Sequence, residues 1–321
     1  MVTGGTGFIA SHLVRKLVEQ GEDVIVFDIS SNFKFIKDLV DKIVFIQGDV
    51  SNIDEVIDTL KKYNIDCIYH TASLLAGICD KVPVRAIKVN IGGTTNILEA
   101  SRIMDVRKVL FTSTVAIFSG APYSERNQSL VRVDDDFPKY PETAYGATKL
   151  LGELYGLWYF NTYGLDFRAV RYLLVYGPGD PYAYHERSRI IENPAHGKPV
   201  EIPHAPDFVS NWLYVKDTAN ALITLCNAQS PRKRVYNIGG ENRTFGEVAE
   251  IVKSILPEAI IKFRQASSPV PRGLFLDDML ARQEIGWKPS YTLEEGIKET
   301  INETKTKSLY SDGVYIKDKI I

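Results

Sequence analysis

The chain has 321 residues, enough to bury a large core, and its 45% hydrophobic and 24% charged content is ordinary globular composition. A formal net charge of −2 leaves no basic excess to hold a nucleic-acid backbone, so that partner class is not expected. No apolar run reaches the length of a membrane span, and three scattered cysteines, Cys67, Cys79 and Cys226, outline neither a disulfide framework nor a zinc site, which fits a reducing cytoplasm.

In chain order, the first half alternates short apolar runs with helical spacing. Residues 24–27, 43–46, 67–69 and 109–112 read as buried strands. Residues 9–19, 53–62 and 94–103 carry helical periodicity between them. Strands alternating with helices predict an α/β fold, a doubly wound parallel sheet covered on both faces. After about residue 170, proline, glycine and charge become frequent. Residues 212–225, a strand at 235–238 and the helix Phe245–Ile255 then restore order. The expected organisation is a Rossmann domain over 1–170 with a return segment near 211–238. A smaller C-terminal substrate-binding lobe is expected from 171–210 and 239–321. At most three residues precede the first glycine loop, short for the central strand of such a sheet, so a start a few codons upstream or a clipped strand is expected.

That loop, Gly4-Gly5-Thr6-Gly7-Phe8-Ile9-Ala10, has small residues at 4, 7 and 10. Gly4 permits a sharp turn, and Gly7 lets backbone approach a pyrophosphate at a helix N-terminus. Gly4, Gly7, Phe8 and Ile9 are therefore cofactor-binding candidates. A glycine loop alone is often only a turn; the helical pattern after it and an acidic residue at the end of the next strand, Asp28, add weight. A carboxylate there accepts hydrogen bonds from ribose hydroxyls and repels a 2′-phosphate, which favours NAD over NADP. Tyr145 and Lys149 stand four apart, one face of a helix, so the ammonium favours the phenolate and makes Tyr145 an acid/base candidate. With 17 tyrosines in the chain, a YxxxK match alone has little weight. His185, His196 and His204 share one stretch, but their spacing matches no common metal site and no metal is expected. Asp134 to Asp136 reads as a solvated loop or a helix start.

With these motifs in order, the chain resembles the extended short-chain dehydrogenase/reductases, in their NAD-dependent epimerase/dehydratase branch. Further matching stretches are Gly48-Asp49-Val50, His70-Thr71-Ala72-Ser73, Val89-Asn90-Ile91-Gly92-Gly93-Thr94, Val175-Tyr176-Gly177-Pro178, Tyr236-Asn237-Ile238-Gly239 and Ile285-Gly286-Trp287. The resemblance implies that Tyr145 is the acid/base and that Lys149 binds the nicotinamide ribose. It places Asp49 and Val50 beside the adenine and Ala72 beside the cofactor. It aligns Thr114 with the hydroxyl that holds the reacting oxygen, with Ser113 the competing choice. Tyr176 and Arg272 are expected at the substrate. The family's substrate asparagine is replaced by Leu174, and its diphosphate-gripping arginine by Ser210, with Arg187, Arg189 or Arg272 as possible substitutes. The resemblance thus implies an enzyme acting on a small-molecule substrate, either a nucleotide-sugar epimerase or dehydratase or an NAD-dependent dehydrogenase or reductase of a smaller hydroxyl or ketone. A cytoplasmic homodimer built on the helices around Thr94 and Tyr145 is expected. Apolar residues in the tail, such as Leu309, Tyr310 and Ile320, suggest that it docks on something.

Overall fold

The computed structural model describes residues 1–120, 130–179, 189–264 and 273–308. Arg272, Arg187, His185 and the apolar tail positions lie outside them.

The first half follows the alternation in the sequence. β1 (Val2–Thr3) leads through the glycine loop into α1 (Phe8–Glu19), then β2 (Ile25–Asp28), β3 (Val44–Gln47), α2 (Ile53–Tyr63) and β4 (Cys67–His70). Two single turns, α3 (Ala76–Cys79) and α4 (Pro83–Ala86), precede a π-helical segment (Ile87–Gly92) that runs into α5 (Gly93–Ile103) and β5 (Lys108–Thr112). β6 (Val131–Val133), α6 (Ala144–Tyr163), β7 (Asp166–Arg171) and β8 (Leu174–Tyr176) follow. The later chain forms α7 (Arg189–Ala195), β9 (Val200–Ile202), β10 (Val209–Tyr214), α8 (Val215–Asn227), β11 (Val235–Asn237) and β12 (Glu241–Thr244). α9 (Phe245–Ile255), β13 (Ile261–Phe263), β14 (Leu274–Leu276), α10 (Met279–Glu284) and α11 (Leu293–Ser308) complete it.

Seven strands form one parallel sheet in the order β11-β7-β5-β4-β1-β2-β3. The order reverses between β1 and β4, and in such sheets ligands bind outside the carboxyl ends of the strands at that switch point. β1 is only two residues long, yet it pairs with β2 on one side and β4 on the other. One face of the sheet is covered by Leu13, Val14 and Leu17 of α1 and Ala219, Leu222 and Leu225 of α8. The other face is covered from α2 and α5 by Val56, Leu60, Ile97 and Leu98 and from α6 by Tyr159. Gly152 and Gly156 of α6 seat the rings of Phe111 and Phe167, where an added Cβ would come within 2.7 and 2.2 Å of them.

The smaller lobe holds the three-stranded sheet β12-β10-β8 and its own core of Trp212, Tyr214, Ile190, Phe245, Val252 and Ile297. The return to the large sheet is made by α8 and β11, whereas residues 211–214 belong to β10 in the lobe's sheet. Asp135 is not a solvated loop residue: it is buried and accepts from the Asn237 backbone N–H at 2.6 Å.

Candidate active site

The carboxyl ends of β1, β2, β4 and β5 open into a cleft of about 640 Å³. It is lined by Gly4, Gly7, Phe8, Ile9, Asp28, Asp49, Val50, Ala72, Thr114, Tyr145 and Lys149, residues drawn from the first 149 positions of the chain.

Gly4 has φ +65°, and a Cβ there would lie 2.8 Å from the Ala72 Cα. Only glycine permits both the left-handed turn and this approach of the loop to the chain leaving β4. α1 then starts just after its N-cap Gly7, with no side-chain cap and no acidic residue in its first turn. An uncapped, uncharged helix N-terminus presents N–H donors and the positive end of the helix dipole, which suits a pyrophosphate. The Asp28 carboxylate is held by the Thr6 backbone N–H at 3.0 Å, the Thr6 hydroxyl at 2.7 Å and the Ser30 N–H at 2.9 Å. A fixed anion at this wall suits ribose hydroxyls and opposes a 2′-phosphate. Val50 is pinned by the Asn96 amide, which donates to its carbonyl at 3.0 Å, and Asp49 accepts from the Ser51 N–H at 2.8 Å. These residues fit NAD.

At the other end of the cleft, Thr143 caps α6 by accepting from the Gly146 N–H at 3.0 Å. Tyr145 therefore lies in the first turn and Lys149 one turn on. A Cβ at Gly146 would sit 2.5 Å from the Ala116 carbonyl oxygen, so this glycine lets the helix close on the turn that follows Thr114. The Lys149 ammonium is buried, donates to the Thr112 carbonyl at 2.9 Å, and lies 4.7 Å from the Phe111 ring centre and 5.9 Å from that of Tyr145. Burial lowers its pKa to about 7. Thr114 lines the cleft, while the Ser113 hydroxyl donates to Glu153 at 2.5 Å on the far side of the strand end. Alternation along the strand separates the two candidates.

Several supporting residues take roles that the sequence does not assign, although His70 and Asn90 lie within the matching stretches. His70 is buried between the hydroxyls of Thr3 at 2.8 Å and Thr94 at 3.0 Å, and burial lowers its pKa to about 3. It is held neutral behind the site. Asn90, in the π-helical segment, accepts from the Leu74 N–H at 2.7 Å and donates to the Leu74 carbonyl at 2.9 Å and to Thr148 at 3.1 Å. It thereby ties the loop after β4 to the helix of Tyr145. Tyr172 lines the cleft beside Thr112, and burial pushes its phenol up to about 12.

Tyr176 does not line the cleft. Its hydroxyl donates to the Leu293 carbonyl at 3.3 Å, and its ring packs on Tyr214 and Trp212 in the lobe's core. Gly296 makes room for that hydroxyl, since a Cβ there would lie 2.2 Å from it. Leu174 does line the cleft, with Leu74, Leu75, Leu173 and Val175. Arg189 begins α7, and His204 stacks on Phe208 at 4.5 Å. Among the described residues no group of three or more His, Cys, Asp or Glu side chains is arranged to hold a metal ion, and no helix is long and apolar enough to cross a membrane.

A model of the NAD dependent epimerase/dehydratase family matches residues 1–239. The UDP-glucose 4-epimerase of Halalkalibacterium halodurans is 28% identical, over 93% of each chain. Among solved structures, UDP-glucose 4-epimerase of Thermotoga maritima with UDP-glucose is similar at a TM-score of 0.82 and 29% identity, covering 96% of this chain and 98% of that one. L-threonine dehydrogenase of Clostridium difficile is similar at a TM-score of 0.82 and 25% identity, covering 95% and 97%.

Proposed function

Because the chain belongs to the NAD-dependent epimerase/dehydratase family, we propose that it is a nucleotide-sugar epimerase or dehydratase that works through Tyr145 and Lys149. The carrying observation is the single cleft that joins the Gly4–Gly7 loop and Asp28 to Thr114, Tyr145 and Lys149. NAD, when bound, supplies the hydride acceptor and donor. Tyr145 takes the proton of a sugar hydroxyl at its phenol oxygen and later gives it back. Lys149, 5.9 Å from the Tyr145 ring centre, stabilises the negative charge that develops on that oxygen. Thr114 holds the reacting oxygen of the substrate by a hydrogen bond. The relatives that act on UDP-sugars support this substrate class.

One observation favours a second reading, net oxidation of a smaller hydroxyl substrate. Leu74, Leu75, Leu173, Leu174 and Val175 make an apolar wall in the cleft, and that wall carries no cation for a diphosphate, whereas Arg85 and Lys88 stand elsewhere in the lining. The similarity to a threonine dehydrogenase fits that reading.

One assay separates the two. Purified protein is mixed with NAD and UDP-sugars or hydroxy acids, and absorbance at 340 nm is followed together with product identity. Isomerised or dehydrated sugar without net NADH supports the first reading, and accumulating NADH with a small substrate supports the second. Tyr145→Phe is expected to lower turnover by about a thousandfold and leave NAD affinity intact. Retained turnover contradicts the assigned mechanism.

The same reading includes a homodimer. Leu154, Tyr155, Trp158 and Tyr163 of α6 and Ile103 of α5 are exposed large apolar side chains on two adjacent helices. Those helices are tied by the Tyr159 hydroxyl, which donates to Glu99 at 3.0 Å.

A further inference from the structure

At the end of the sheet opposite the cleft, two cysteines far apart in sequence meet. Cys67 opens β4 and Cys226 lies in the last turn of α8. Their sulfurs are 3.6 Å apart across a separation of 159 positions, and both are free thiols. Cys67 is partly exposed and Cys226 is buried. The surroundings are polar for such a contact. The Tyr69 hydroxyl hydrogen-bonds the Cys226 sulfur. Lys108, paired with Cys67 across the strands, donates to the Cys226 carbonyl. Arg168 donates to the carbonyls of Cys226 at 3.2 Å and Ala228 at 2.8 Å, fixing the end of α8 against the sheet.

We propose that Cys67 and Cys226 form an oxidant-responsive dithiol that closes into an intramolecular disulfide when a peroxide reaches it. Thiol–thiol contact at a partly exposed residue, Cys67, is the arrangement such a step needs. Hydrogen bonds from Cys67 and Tyr69, with the charges of Lys108 and Arg168 behind them, lower the pKa of the Cys226 thiol and raise its thiolate fraction. The step balances without a further reactant. The Cys226 thiolate attacks one peroxide oxygen, an S–O bond forms, and the O–O bond breaks. The released hydroxide takes the proton that Cys226 gave up and leaves as water. The Cys67 sulfur then attacks the sulfenic sulfur. The S–S bond forms, the S–O bond breaks, and the hydroxyl leaves with the Cys67 proton as a second water. Two electrons pass from the sulfur pair to the peroxide. The sulfurs must close from 3.6 Å to a bond length of about 2.05 Å, a movement within the reach of two side chains in contact. Cys79 is a different case: its thiol is buried and donates to the Leu74 carbonyl at 3.2 Å.

The test uses the reduced full chain, treated with hydrogen peroxide at a small molar excess. Thiols are counted after denaturation, and peptides are mapped by mass spectrometry without reduction. The expected result is a fall from three thiols to one, with a Cys67–Cys226 linked peptide lighter by two hydrogens and reversal by dithiothreitol. Closing so long a loop is expected to raise Tm by about 5 °C. Three remaining thiols, over-oxidised Cys67 or Cys226 without a bridge, or a bridge through Cys79 or a second chain would overturn the proposal. In Cys226→Ser, peroxide is expected to leave Tm unchanged, and a persisting rise would overturn it equally.

Discussion

Lys149 places a full charge in an interior that offers it one carbonyl and two aromatic rings. Its folded pKa is about 7, against an ordinary value of 10.5. Between those values the unfolded chain holds more protons than the folded one. Stability therefore rises with pH across that window, and the cost of the buried charge is fully present below pH 7. Lys149→Met keeps the length of the side chain and removes the charge. It is expected to abolish turnover yet raise Tm of the NAD-free protein at about pH 6. The gain should shrink as pH is raised from 7 towards 10.5, and thermal melts at constant ionic strength check it. A gain independent of pH contradicts the assignment. Local spacing in the sequence is enough to single out Tyr145, Lys149, Asp28 and Gly4, and all four line the cleft. The roles of His70 and Tyr172 are not legible in this way, since His70 acts through Thr3 and Thr94 and Tyr172 through Thr112, contacts that only the sheet creates. Its motif places Tyr176 at the substrate, but its ring turns into the lobe's core, where Gly296 leaves room for it.

At the level of elements, α6 is locked to β7 by an ion pair buried at both ends. Arg171 donates to Glu153 through Nε at 2.8 Å and Nη2 at 2.6 Å. Its remaining Nη1 donates to the Asp135 carbonyl at 3.0 Å, and the Asp135 carboxylate receives the Asn237 N–H of β11. One side chain thus joins the helix that carries Tyr145, a strand end, a loop and the sheet's outer strand. Arg171→Met strands the Glu153 charge and is expected to cost about 3–5 kcal/mol in urea unfolding. The double change Arg171→Met with Glu153→Leu is expected to recover most of that loss. If the double variant is as unstable as the single one, the stranded charge is not the cause. The same pair explains why β7 was not legible as a strand. Asp166-Phe167-Arg168-Ala169-Val170-Arg171 alternates charge with apolar residues, yet both arginines are buried, and each meets a carboxylate, Asp166 or Glu153. β2, β4 and β5 are legible because their runs are continuously apolar, as strands buried on both faces are, whereas β3, read as buried from an equally apolar run, is an edge strand left partly exposed.

For the whole molecule, the exposed ladder on α6 makes a definite expectation. Trp158→Glu together with Leu154→Lys puts charge at the centre of the apolar face while leaving the buried face of the helix untouched. Light scattering after size exclusion should give a dimer for the parent and a monomer for the variant. An unchanged mass would remove this face as the interface. The path of the chain has a consequence of its own. After β7 it enters the smaller lobe through β8, comes back through α8 and β11, and leaves again into β12. A cut after residue 171 would therefore not release a finished domain. It would strip the outer edge of β7 and remove α8 from the face that it shares with α1, leaving unpaired backbone and bare apolar surface to associate. The lobe without those residues would be equally incomplete, because β10 runs straight into α8. The two halves are thus interlocked: any exchange of the smaller lobe must leave α8 and β11 with the sheet on which they close.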